Sequence, residues 1–187
     1  MPSIRLDSST CAVLAIDLQP CFLVAIDYPL NMLTRARFLI AAATELGIPV
    51  FGTIQNPERM GGLDPSLVDL IPDPIGKFSF SCCGSPEFMR PFEQAARKQI
   101  VVVGLETHIC VGQTCLDLQS MGCNVVVCPD AVGAGTVDGH KIGMERMRDA
   151  GIVPIHTEAV AYEWLRTAKH PCFRRVLELT KQARAGQ

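Results

Sequence analysis

Apolar residues fall along this chain in short unbroken blocks set between polar or glycine-bearing turns. Residues 11–16 are apolar throughout, with no alternation, and stop at Asp17; this is the pattern of a strand buried on both faces. Blocks at 49–54, 99–103, 124–128 and 152–155 repeat it and predict four further strands, most of them rich in β-branched residues. Between the blocks the apolar positions take a helical spacing. One helix is predicted over 32–46, opened by Asn31 as a cap and stopped by Gly47. Another runs to about residue 98 from Ser85-Pro86-Glu87, which reads as a cap, a first-turn proline and a first-turn acid. Helices over 110–121 and 137–150 end at Gly122 and Gly151, and 158–166 and 171–184 are helical. Residues 55–75, rich in Pro and Gly, read as a long irregular loop, which in a compact domain is often functional.

Strands alternating with helices predict a three-layer α/β/α architecture, Rossmann-like, with a mostly parallel central sheet covered on both faces. In such folds ligands bind beyond the carboxyl ends of the strands. That rule selects Asp17 after the first strand and Gln55 after the second. It selects Thr107, His108 and Cys110 after the third, and Asp130 with Gly133-Ala134-Gly135 after the fourth. Cys110 stands where a helix is predicted to begin, and the unpaired N–H groups there would lower its thiol pKa towards neutrality. The other reading is a small apolar residue filling a core gap. Asp17 reads either as a general base for a nearby thiol or as a turn cap. Lys77 reads either as a partner of Asp17, its charge lowering the thiol pKa, or as a solvated surface lysine. The glycines at 133–139 depart from the dinucleotide spacing and read as a flexible strand-to-helix turn; no P-loop occurs.

The chain has 187 residues, a formal charge of −2 and 48% hydrophobic residues, which predicts one ordered domain over 1–187. Its basic residues are scattered and form no stripe, against a nucleic-acid partner. No apolar run could span a bilayer, and the first residues lack the features of a signal peptide. Nine cysteines, odd in number and irregular in spacing, suit free thiols in a reducing compartment, the cytoplasm or an organelle of that character. No paired C-x-x-C units occur, and the four histidines show no ligand spacing, so neither metal nor cofactor is expected.

The order Asp17, Lys77, Cys110, with Gly104, Thr107, Cys110 and Val111 as G-x-x-T-x-x-C-V, resembles the isochorismatase-like cysteine hydrolase superfamily. The likeness extends through 114–118, 129–131 and 144–151, and the tail at His170-Pro171-Cys172-Phe173 resembles the isochorismatase-domain-containing subgroup. The resemblance implies a Cys-Asp-Lys triad and a cis peptide at Leu105–Glu106. It also implies an oxyanion hole from the N–H groups of Glu106 and Cys110, and a homo-oligomer, dimer or larger. Nicotinamidases of the superfamily carry an Asp-x-His metal motif where this chain has Thr53-Ile54-Gln55-Asn56, so no catalytic metal is expected. True isochorismatases lack the cysteine, whereas Cys110 favours attack on an acyl carbon. The expected function is a metal-independent cysteine amidohydrolase cleaving a small C–N amide or ureido substrate through a thioester, with Gln19, Phe22, Gln55, Phe78 and His108 lining the pocket. The alternative is a catalytically silent oligomeric member of the fold, kept for assembly or partner binding.

Overall fold

The computed structural model describes residues 5–26 and 29–185. The leader reading falls largely on residues 1–4, outside the described residues. Six strands form one sheet in the order β3-β2-β1-β4-β5-β6, and every neighbouring pair is parallel. They are β1 (Cys11–Ile16), β2 (Val50–Gln55), β3 (Ile75–Lys77), β4 (Gln99–Leu105), β5 (Asn124–Gly133) and β6 (Val153–Pro154). The helices are α1 (Pro20–Leu23), α2 (Pro29–Glu45), α3 (Pro57–Met60), α4 (Pro86–Ala95), α5 (Gly112–Ser120), α6 (Val137–Asp149), α7 (Thr157–Leu165) and α8 (Phe173–Ala185).

Alternation along β1 divides the core. Val13 and Ala15 join residues of α2, α7 and α8 on one face, including Leu39, Trp164 and Val176. Ala12, Leu14 and Ile16 join Phe88 and Phe92 of α4, Cys115 and Leu118 of α5, and Met144 and Met147 of α6 on the other. All six residues of β1 are buried, as an unbroken apolar block in the middle of a covered parallel sheet requires.

Several boundaries differ from those the sequence predicts, each for a local reason. The sheet has six strands, not five, because Ile75–Lys77 pairs with Thr53–Gln55 at the edge; three residues carry too little pattern to register as a strand. Residues 55–75 are not irregular throughout. They contain α3 and a single turn at Pro65–Leu67 capped by Asp64, and Leu63, Leu67 and Ile71 are buried. α2 spans Pro29–Glu45, so Asn31 lies inside the helix and does not cap it. α4 ends at Ala95, before the left-handed Ala96. β5 continues through Pro129 to Gly133, five residues past the prediction. Its pairing with β6 is confined to Val126 and Val127, so Pro129 withholds no N–H from that ladder. β4 also runs two residues longer than predicted, and its register against β5 shifts between Val102 and Gly104.

The first three strands run outwards from β1 in one direction and β4 to β6 in the other. The switch lies between β1 and β4, and a crevice opens beyond their carboxyl ends. Gly104 shapes it. Its φ is 125°, and a Cβ there would collide with the backbone of Ile16, so only glycine lets β4 close against the end of β1.

Candidate active site

Three segments deliver polar groups into this crevice. β1 ends at Asp17, which holds a left-handed φ of 51° and is 1% exposed. Asp17 Oδ1 accepts from Thr53 Oγ1 at 2.9 Å, and Oδ2 accepts from Lys77 Nζ at 2.7 Å. Lys77 is also buried, at the end of β3. Its ammonium donates to Gln55 Oε1 at 2.6 Å and to the carbonyls of Ser79 and Phe80, each at 3.2 Å. Four acceptors therefore compensate one buried cation, which is what makes its burial tolerable.

The third segment follows β4. The Leu105–Glu106 peptide is cis. Thr107–Val111 form a π-helical turn that runs directly into α5, so Cys110 sits within a turn rather than at the start of a helix. Its Sγ lies 4.0 Å from Gln55 Oε1. Burial first, and then the Asp17 charge, push the Cys110 thiol up to about 12, against the opposing pull of Lys77 and opposite to the direction a helix terminus alone would give. The thiol therefore rests protonated beside an acid–ammonium pair. Among the described residues no protein group accepts from the N–H of Glu106.

A cavity of about 90 Å³ opens onto these groups, lined by Asp17, Phe22, Gln55, Phe80, Leu105, Glu106, Ile109 and Cys110. Of the five pocket residues expected from the sequence, Phe22 and Gln55 line it. Gln19 does not: its buried amide ties Gln55 N–H to the carbonyls of Gln55 and Gly61, bracing the loop after β2. Phe78 points to solvent at 70% exposure and reaches the site only through its carbonyl, which accepts from Gln55 Nε2. His108 packs towards Gly139 and Gly143 of α6, with Nδ1 3.8 Å from Glu106 Oε2. Phe80, Leu105 and Ile109 were not anticipated. Phe80 follows three residues after Lys77, and recognising β3 would have pointed to it. Thr53 was missed as well, because a threonine inside an apolar block reads as strand composition.

A larger cavity, about 480 Å³, is lined by Arg35, Asp130, His140 and His156 among others. It meets the π-helical turn through the hydrogen bond of 3.0 Å between His140 Nδ1 and Thr107 Oγ1. Among the described residues no cluster of three or more His, Cys, Asp or Glu side chains is placed to hold a metal. No helix there is long and apolar enough to cross a membrane.

The isochorismatase domain family model matches residues 11–159, and the chain belongs to the isochorismatase family. It is 31% identical to the secreted isochorismatase effector Isc1 of Phytophthora sojae over 77% of this chain and 71% of that one. Among solved structures it is similar to the MAR1 ribonuclease of Caenorhabditis elegans, with 32% identity, a TM-score of 0.88, and coverage of 94% and 92% of the two chains. Its fold also matches the YcaC gene product of Escherichia coli, an octameric hydrolase of unknown specificity. That match has 23% identity, a TM-score of 0.87, and coverage of all of this chain and 92% of that one.

Proposed function

We propose that this protein is a metal-independent cysteine amidohydrolase acting on a small C–N amide or ureido substrate. Family membership supports a hydrolase. The observation that carries the finer reading is the buried Lys77–Asp17 pair at 2.7 Å, whose Asp17 lines the same small cavity as Cys110. A buried ion pair is a costly thing to keep in a core, and an apolar filling of similar volume would serve stability as well or better.

In this reading Cys110 Sγ attacks the substrate carbonyl as its proton passes to Asp17. A free thiolate is not formed beforehand, since a thiol at about 12 is almost wholly protonated near neutrality. Proton transfer and attack run together, and negative charge moves from the carboxylate through sulfur to the substrate oxygen. Lys77 stays charged beside Asp17 and balances that charge at each stage. The tetrahedral oxyanion rests on the N–H groups of Glu106 and Cys110. Asp17 then returns the proton to the leaving nitrogen, a thioester remains on Cys110, and water, with Asp17 again as base, releases the acid. Gln55 and Asn56 stand where a metal-dependent relative would carry its ligands, which supports a metal-free route. A homo-oligomer and a reducing, cytoplasmic setting complete the proposal; nine free cysteines support the latter.

The test is hydrolysis of a panel of primary amides and ureido compounds, with ammonia release as readout, by wild type and Cys110→Ala. Turnover abolished by the substitution in a folded protein supports the reading, and turnover retained refutes it. A wild type that releases no ammonia and whose Cys110 takes up no alkylating agent favours the silent scaffold. Cleavage of RNA by the same preparation, lost in Cys110→Ala, would replace the amide with a phosphodiester.

A further inference from the structure

The walls of the Cys110 cavity bear on what the proposed amidohydrolase accepts, and this inference rests on that reading. Away from the reacting atoms the cavity is bounded by Phe22, Phe80, Leu105 and Ile109. Among the described residues no arginine lines it. The Lys77 ammonium, behind Asp17 and Gln55, is committed to those two side chains and two backbone carbonyls, leaving no proton for a substrate. Gln55 is also engaged at both ends of its amide, with Lys77 on its oxygen and the Phe78 carbonyl on its nitrogen. The acids Asp17 and Glu106 border the space. A substrate carboxylate entering here would lose its hydration, meet hydrocarbon, and find no donor beyond the backbone.

We propose that the site takes a small amide with an uncharged acyl group and rejects analogues carrying a carboxylate. The selection is by desolvation and by the absence of a free cation, with the aromatic wall of Phe22 and Phe80 flanking the acyl chain. Propionamide fits this description; succinamate, the same amide with a terminal carboxylate, does not.

The experiment measures Cys110 alkylation by iodoacetamide and by iodoacetate, which differ chiefly in charge, using peptide mass spectrometry. The exposed thiol of Cys21 in the same molecule is the internal reference. We expect the amide-to-acetate rate ratio at Cys110 to exceed that at Cys21 by at least tenfold. In Phe80→Arg, which places a cation on the exposed rim, the ratio should fall by about tenfold. A ratio at Cys110 equal to that of Cys21, or one that Phe80→Arg leaves unchanged, overturns the proposal. Propionamide and succinamate are then compared as substrates. Equal hydrolysis of both also overturns it. Absence of any hydrolysis defeats the amidohydrolase reading alone, because the alkylation ratio needs no turnover.

Discussion

Replacing Asp17 with Asn should move the reactivity of Cys110 and its turnover in opposite directions. In the wild type burial raises the thiol pKa first and the Asp17 charge next, to a value of about 12. At pH 8 such a thiol is ionised in about one molecule in ten thousand. The amide of Asn is isosteric and uncharged, and it leaves the Lys77 ammonium acting on sulfur without its counter-charge. Two unit charges at near-contact range and an effective dielectric of about 20 interact by roughly 3 kcal/mol, or about two pKa units. A fall of that size raises the thiolate fraction about a hundredfold, while each thiolate becomes about tenfold less nucleophilic, for a net gain near tenfold. The second-order rate of Cys110 alkylation by iodoacetamide, followed from pH 7 to 10.5, should therefore rise about tenfold in Asp17→Asn. Its pH midpoint should come down into the measurable range. Amide turnover by the same variant should fall by at least 10³, since nothing remains to take the proton. Slower alkylation in Asp17→Asn would refute the reasoning, because it would mean that the carboxylate promotes ionisation at rest.

Other outcomes follow from single contacts. Thr53→Val removes the donor to Asp17 Oδ1 and, with it, stabilisation of the carboxylate. The value of kcat should fall about tenfold with KM unchanged; an unchanged kcat would leave Thr53 a purely structural role. Gly104→Ala forces a methyl group into the Ile16 backbone at a positive φ and should lower stability by at least about 3 kcal/mol, read as a drop in Tm. Glu158 is held at about 2, chiefly by its hydrogen bond to Arg184 and then by Arg35, below its usual 4.5. Its contribution is therefore complete above pH 4.5 and is lost as pH falls through 2. Allowing for solvent at Arg184, Glu158→Gln should cost on the order of 1–2 kcal/mol at pH 7 and flatten the denaturant midpoint across that acid window.

What could be read from the chain without its structure divides along physical lines. Unbroken apolar blocks such as Val101-Val102-Val103 identify central parallel strands because both faces are buried, so the architecture was legible. Asp17 and Cys110 were legible for the same reason: each follows such a block, at the end of the sheet where ligands bind. Lys77 was singled out chiefly by the order it shares with a known family, since its strand is three residues long and lies at the edge. The walls were the least legible part. Phe78 and Phe80 stand two apart in an alternating segment, and only the direction in which the chain leaves β3 decides which ring reaches the cavity. For Cys110 a helix terminus is visible in sequence, whereas burial and a carboxylate brought from another strand, which push its thiol pKa up, are not.

The register of the central strands also has a consequence for the order in which this protein comes into being. β1 is made first, yet its partner β4 begins at Gln99, 88 positions after Cys11. A chain leaving the ribosome presents the acid, then the ammonium 60 positions later, and the thiol only after that. At about 5–20 residues per second, the last interval lasts a few seconds. Because the thiol arrives with the strand that closes the crevice, it is the last of the three groups to reach the site.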